Sequence, residues 1–320
     1  MIRNNIKLLI TSCALLLSQA CSEGGGQTPR QPGEKLQVVA TTSMITDLVK
    51  NIGGEHVEVT GLMGPGVDPH LYKPTQGDLT DLRQADIIFY NGLHLEGKMG
   101  EVLQKFGRQK MVYAIGDAIP EQNLLKVSGQ GDTWDPHIWF DVSLWAQTVP
   151  LVTEKLSETM PEQASYFKQQ ASAYRQQLQE LHQWVADRIA EIPEEGRVLV
   201  TAHDAFEYFG RAYGIEVRGL QGISTLSEFG LRDIKQMVDF VADNNIKAVF
   251  VESSVPARSL EAVVEGAEQR GHQIKIGGTL YSDAMGAPDS DAGTYTGMVR
   301  SNVKEITAAL AIASEPQAVN

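Results

Sequence analysis

Residues 161–192 read PEQASYFKQQASAYRQQLQELHQWVADRIAEI, and this stretch decides how the rest of the chain is arranged. Apolar side chains recur along it at steps of three and four residues: Phe167, Ala171, Tyr174, Leu178, Leu181 and Val185. The spacing predicts one amphipathic helix, with Pro161 in its first turn and Pro193 after its end. A helix of about 30 residues would be roughly 45 Å long, so we expect a rigid strut between two halves.

Short runs rich in Val and Ile alternate with helical patterns on both sides of this helix. The predicted strands lie at 36–41, 57–62, 86–90 and 111–115, and at 197–202, 215–220, 246–252 and 272–277. Strands separated by helices indicate βαβ units and parallel sheets. The sequence therefore predicts an α/β fold of two lobes, each a parallel sheet flanked by helices. The lobes are expected at 36–160 and 194–320, joined by one long rigid helix at 161–193.

The N-terminus has the pattern of an export signal. Two basic residues, Arg3 and Lys7, precede an apolar run that ends in small residues before Cys21, which predicts a secretory signal peptide at 1–20. A small residue followed by Cys resembles a bacterial lipobox, although Ser18 stands where Leu is usual. Residues 21–35 are then expected to form a flexible tether, lipid-anchored at Cys21 on the extracytoplasmic face of the bacterial membrane. Ordinary cleavage that leaves a soluble protein is the alternative.

Charge and cysteine content exclude several classes of protein. The chain has 27 Lys plus Arg against 40 Asp plus Glu, a net charge of −13, which argues against nucleic acid as a partner. Its two cysteines, Cys13 and Cys21, leave none in the body. A disulfide scaffold and a thiolate zinc site are thus excluded there, and any metal in the body must be held by nitrogen and oxygen ligands.

The tripeptide Asp-Pro-His occurs twice, at 68–70 and at 135–137. Proline favours an extended conformation in the preceding Asp, so the following His is held at a fixed angle on a loop. A metal-bound imidazole usually donates its other N–H to a carboxylate or carbonyl, and Asp68 and Asp135 are within reach for that role. The repetition favours His70 and His137 as metal ligands over two loop histidines packed on helix N-termini.

The second half offers two more candidate ligands. His203 follows a predicted strand at its carboxyl end, where ligands of open α/β sheets gather, and Asp283 lies in LYSDAMG before the final helix. Taken alone, each also fits a helix cap or a turn. Glu252 ends the strand at 246–252 and is a candidate to support the site, or a satisfied strand-end carboxylate. The remaining histidines are predicted not to be ligands: His56, His94, His182 and His272.

A set of ordered motifs resembles the metal-binding lipoproteins of bacterial ABC importers, the cluster A-I (cluster 9) solute-binding proteins, and most of all their manganese-binding branch. The resemblance runs from about residue 36 to about 311 and rests on MGPGVDPHLYKPTQGDL, LHLEGKM, WDPHIWFDV, TAHDAFEYFG, AVFVESSV, GGTLYSDAMG and GTYTGMVRSN. It implies two lobes joined by a rigid helix, which agrees with the predicted strut.

The resemblance also implies a ligand set: His70, His137, His203 and Asp283. Three imidazoles and a carboxylate, bound through one or both oxygens, suit Mn²⁺, Zn²⁺ or Fe²⁺. Three histidines favour zinc, and many manganese members have Glu where this chain has His203. However, residues 121–136 lack the His-rich loop common in zinc members. The similarity to the manganese branch therefore favours Mn²⁺, with Zn²⁺ or Fe²⁺ as alternatives.

The implied function is capture of a divalent metal ion between the lobes and its delivery to a membrane permease driven by an ATPase subunit. We expect a monomer with no enzymatic activity. The rival hypothesis of a zinc hydrolase is disfavoured because four protein ligands would close the metal site and no H-E-x-x-H is present. A surface adhesin is a further alternative, but nothing in the sequence supports adhesion as the primary role.

Overall fold

The computed structural model describes residues 33–127, 133–226 and 229–311. The predicted signal peptide, Cys21 and nearly all of the predicted tether lie outside these ranges. Within them, no helix is both long enough and apolar enough to cross a membrane.

The first sheet is formed by β1 (Leu36–Ala40), β2 (Val57–Gly61), β3 (Ile87–Tyr90) and β4 (Met111–Ala114). All pairs are parallel, in the order β2-β1-β3-β4. Successive strands are connected by α1 (Ser43–Gly53), α2 (Gln76–Gln84) and α3 (Gly97–Phe106). Side chains of a strand alternate between its faces. On β1, Val38 therefore faces the main core, whereas Val39 packs with α2 and α3.

The second sheet repeats this topology. Its strands are β5 (Val198–His203), β6 (Glu216–Gln221), β7 (Ala248–Glu252) and β8 (Lys275–Leu280), and they are parallel in the order β6-β5-β7-β8. The helices here are α7 (Glu207–Tyr213), α8 (Leu231–Asp243), α9 (Arg258–Gln269) and α10 (Tyr295–Ala311). The chain direction across the sheet reverses between β5 and β7. The carboxyl ends of two such strands form the crevice in which α/β proteins bind ligands.

Three helices lie between the sheets in sequence: α4 (Val142–Trp145), α5 (Val149–Thr159) and α6 (Ala164–Ala190). The 27 residues of α6 correspond to about 40 Å. Its buried stripe consists of Phe167, Ala171, Tyr174, Leu178, Leu181, Val185 and Ile189. This stripe belongs to one hydrophobic core that also contains side chains of β1, β3, β5 and β7. The described residues from Lys35 to Ala311 accordingly form a single compact unit.

Strand ends differ from the predicted ones by one or two residues at several positions, and three differences are larger. Helices α4 and α5 were not predicted, and the long helix begins at Ala164 after a 3₁₀ turn at Pro161–Gln163. The last strand lies at 275–280 instead of 272–277, because its pairing with β7 continues past two glycines through a register shift next to Phe250. The predicted fold class is confirmed. The lobe boundaries at 160 and 194 stay predictions.

Candidate metal centre

Four loop or strand-end positions bring the predicted ligands together. His70 lies in the loop after β2, His137 precedes the 3₁₀ turn at 138–140, His203 ends β5, and Asp283 lies between β8 and α10. All four residues are buried, with relative exposures of 3, 0, 0 and 2%. Each offers one potential ligand atom, and these four atoms lie within 4.8 Å of one another. Among the described residues, this is the group of His, Cys, Asp or Glu side chains that is close enough to hold a metal ion.

The distances between the candidate ligand atoms suit one bound ion. Nε2 of His70 lies 3.3 Å from Nε2 of His137, and Nε2 of His203 lies 3.4 Å from Oδ2 of Asp283. Nε2 of His137 is 3.6 Å from Oδ1 of Asp283, and Nε2 of His70 is 3.9 Å from Oδ2. Ligands placed tetrahedrally at about 2.0–2.2 Å from an ion are about 3.3–3.6 Å apart. The cluster is therefore close to the size that a four-coordinate ion requires.

Both aspartates of the repeated tripeptides contact their histidines, but at different atoms. Asp135 Oδ1 accepts a hydrogen bond from the backbone N–H of His137 and lies 2.7 Å from Nδ1 of its ring. Asp68 Oδ1 accepts only the backbone N–H of His70, while its Oδ2 accepts the hydroxyl of Thr225 across the site. Asp135 thus orients an imidazole ring, as expected for a metal-bound histidine, whereas Asp68 fixes a loop.

Glu252 holds His203 at two atoms. Its Oε1 accepts the backbone N–H of His203 at 2.8 Å, and its Oε2 lies 2.5 Å from Nδ1 of the ring. The two residues end the neighbouring strands β5 and β7, so the sheet itself places the carboxylate beside the imidazole. This contact leaves Nε2 of His203 directed toward Asp283.

The surroundings of His70 and His203 shift the pKa values of the two rings in opposite directions. Burial lowers the pKa of His70 to about 3, so this ring is neutral. Burial also opposes charge on His203, but the Glu252 and Asp283 carboxylates outweigh it and raise the pKa of His203 well above its usual value. Burial likewise opposes charge on Asp283, and the neighbouring imidazoles, His203 first, nevertheless lower its pKa.

Several buried atoms of the cluster have no hydrogen-bond partner among the described residues. They are Nε2 of His203 and both carboxylate oxygens of Asp283. Buried polar atoms are nearly always paired, since an unpaired one costs about 1–3 kcal/mol. A cation between the three imidazoles and the carboxylate would satisfy all of these atoms, which is the arrangement that a metal centre needs.

The other histidines lie elsewhere. His56 packs on Tyr166, His94 is an exposed loop residue, His182 contacts Tyr213, and His272 contacts the carbonyl of Ile246. Sequence reasoning missed Thr225, the partner of Asp68, and Tyr208, whose hydroxyl contacts the backbone of Asp135. Both come from the second half, more than 70 residues away, and no local pattern marks them.

Comparisons with known proteins agree with this architecture. Residues 38–309 match the family model described as "ZnuA: Zinc-uptake complex component A periplasmic". The manganese-binding lipoprotein MntA of Bacillus subtilis is 53% identical over 90% of this chain and 94% of its own length. The zinc-binding protein TroA of Treponema pallidum is 46% identical over 93% and 98%. A structure of periplasmic TroA covers 87% of this chain and 99% of its own, with 48% identity and a TM-score of 0.84.

Fold, site and relatives together define a class: the solute-binding proteins of metal importers, which are transporter components and not enzymes. The chain belongs to the ZnuA family of this class. Its relatives include substrate-binding lipoproteins of ABC transporters, so a permease and its ATPase subunit are the implied partners.

Proposed function

We propose that this protein binds one divalent transition-metal ion through His70, His137, His203 and Asp283, and delivers it to the permease. The observation that carries the proposal is the buried four-residue cluster, whose unpaired atoms face one another at ligand spacing. Capture needs no chemistry on the ion, only a preformed set of three imidazoles and a carboxylate, with His203 losing its proton as the ion binds. Import is then driven by the ATPase on the other side of the membrane.

We infer that manganese is the transported ion, with zinc as the leading alternative and Fe²⁺ after it. A relative that is 53% identical is named for manganese, and one that is 46% identical is named for zinc. Sites with nitrogen and oxygen ligands generally bind Zn²⁺ more tightly than Mn²⁺, and three imidazoles strengthen this preference. The same ligand types also accept Mn²⁺, so we expect both ions to bind in vitro. Selection in the cell then depends on metal availability and on the permease.

The location that we propose is the outer face of the cell membrane, where a lipid on Cys21 holds a monomeric protein through a flexible tether. The signal-like N-terminus and the lipoprotein names of its relatives support this location. Mass spectrometry of the protein from its native host tests it, since a mature chain that begins at an unmodified residue would contradict the anchor.

Metal titration of the metal-free protein tests the function, with Mn²⁺ and Zn²⁺ measured separately and in competition. One ion should bind per chain. Asp283→Asn should weaken binding by more than about 100-fold, which exceeds the loss typical of removing a residue that only hydrogen-bonds to a metal ligand. The control is Asp289→Asn, which neutralises an exposed carboxylate six residues away. Equal affinities for the two variants would contradict the proposal.

A further inference from the structure

Tyr208 connects the second half of the molecule to a ligand segment of the first. It lies on α7, five residues after His203, and is fully buried. Its hydroxyl oxygen accepts the backbone N–H of Leu125 at 3.0 Å and donates to the backbone carbonyl of Asp135 at 3.0 Å. One hydroxyl therefore bridges two backbone groups, and the second of them belongs to an Asp-Pro-His tripeptide.

The two bridged groups face each other in an antiparallel pairing. Val127 donates to the carbonyl of Thr133 at 2.9 Å, Asp135 donates to the carbonyl of Leu125 at 2.8 Å, and Lys126 pairs with Trp134. Opposed residues of such a ladder normally exchange two hydrogen bonds. Here Leu125 and Asp135 exchange one, and the Tyr208 hydroxyl replaces the other by bonding to both groups.

This inserted hydroxyl bonds directly to the backbone of Asp135. The buried Asp135 side chain in turn contacts the backbone N–H and Nδ1 of His137. We propose that Tyr208 is a positioning residue: its hydroxyl sets Asp135, and Asp135 sets the His137 imidazole for metal binding. The helix that follows one ligand, His203, thereby controls the orientation of another, and this inference rests on the proposed metal-binding function.

A second contact keeps α7 on the same segment independently of the hydroxyl. Arg211 lies over the Tyr208 ring at 4.9 Å and donates to the carbonyl of Asn123 at 2.8 Å. Tyr208→Phe retains the ring and this stacking and removes only the bridge. The variant is therefore a specific test of the hydroxyl.

The matched control is Tyr213→Phe. Tyr213 is also buried on α7, and its hydroxyl also accepts a backbone N–H of the first half, that of Val142, but it does not bond to a ligand segment. Zn²⁺ affinity, measured by chelator competition, should fall about 10-fold or more in Tyr208→Phe, the size typical of outer contacts of metal ligands. It should stay at the wild-type value in Tyr213→Phe.

A double-mutant cycle with His137→Ala separates positioning from general stability. If Tyr208 acts through His137, Tyr208→Phe should have no effect on the remaining Zn²⁺ affinity once His137 is absent. Wild-type affinity in Tyr208→Phe, or the same loss with and without His137, would overturn the inference. A wild-type protein that binds no Zn²⁺ would instead contradict the proposed function itself.

Hydrogen exchange of the wild-type chain keeps the inference testable should Tyr208→Phe not fold. Metal bound to His137 should fix Asp135 and the hydroxyl, so the Leu125 amide should exchange more slowly with Zn²⁺ present. The Val127 amide, which bonds to Thr133 in the same ladder, is the internal reference. Equal changes at Leu125 and Val127 would overturn the inference.

Discussion

Glu252 illustrates how a single carboxylate fixes a candidate metal ligand, His203. It accepts the backbone N–H of His203 and contacts Nδ1 of the ring, so Nε2 remains as the atom that faces Asp283. The same residue contributes to the raised pKa of His203 in the metal-free protein. Orientation and protonation of this ligand are therefore linked through one contact.

Glu252→Gln should weaken metal binding by about 10- to 100-fold, because the amide retains a hydrogen-bond acceptor but removes the charge that makes the imidazole a stronger ligand. Competition with a chelating dye measures the loss. Glu265→Gln on the exposed face of α9 is the control and should bind as the wild type does. Unchanged affinity in Glu252→Gln would mean that the contact does not tune the ligand.

Metal binding should release a proton near neutral pH. His203 is protonated in the metal-free site because its pKa is raised, and it must lose that proton to bind an ion, whereas His70 is already neutral. Affinity should therefore rise with pH up to the pKa of His203 and fall steadily below it. Calorimetry in two buffers of different ionisation enthalpy should give about one proton per ion. Identical heats in both buffers would contradict this assignment.

Residue-scale features were predictable where the sequence repeats itself. The repeated Asp-Pro-His tripeptide singled out His70 and His137, and the structure brings both into the cluster. It could not show that Asp135 contacts a ring while Asp68 contacts a backbone N–H, because that difference depends on partners in the other half. The hydroxyl of Thr225 donates to the second carboxylate oxygen of Asp68, and no local sequence pattern predicts such a contact.

Among the elements, α6 contributes most to joining the two halves. Its buried stripe packs against α1, α4, α5 and α10, which belong to both sides of the molecule. The three- and four-residue spacing of apolar side chains predicted this helix, since the spacing depends only on the sequence. The extent of β8 was not predictable, because its glycines weaken a strand pattern that pairing with β7 restores.

Leu178→Ala should lower the free energy of unfolding by about 2–5 kcal/mol, since it opens a cavity at a fully buried position of α6. Urea denaturation of the metal-free protein measures the change. Gln179→Ala, at the exposed neighbouring position, should shift it by no more than about 0.5 kcal/mol. Equal stabilities of the two variants would show that packing of α6 in the shared core does not stabilise the protein.

At the scale of the whole molecule, the candidate site takes its residues from both halves of the chain. Both sheets have the same strand order. Hydrogen bonds join the two halves beside the candidate ligands. The Trp139 indole N–H donates to the carbonyl of Ser282 at 3.0 Å, and Thr225 donates to Asp68 at 2.6 Å. The shared core and these hydrogen bonds restrict hinge motion between the halves. We therefore expect the metal ion to be released through local shifts of the side chains that bind it.

Solution scattering tests this expectation directly. The metal-free and metal-loaded forms of one preparation should have the same radius of gyration within error, because α6 and the shared core hold the halves together. A marked decrease on metal loading would indicate hinge closure and contradict a rigid strut.

X-ray absorption spectroscopy of the metal-loaded protein tests the central claim, the four-residue ligand set, most directly. Spectra of the Mn²⁺ and Zn²⁺ forms should show three imidazoles and one carboxylate in the first shell, with no sulfur, and Asp283→Asn should change the oxygen contribution alone. Fewer than three imidazoles, or a first shell made mainly of water, would contradict the ligand set of His70, His137, His203 and Asp283.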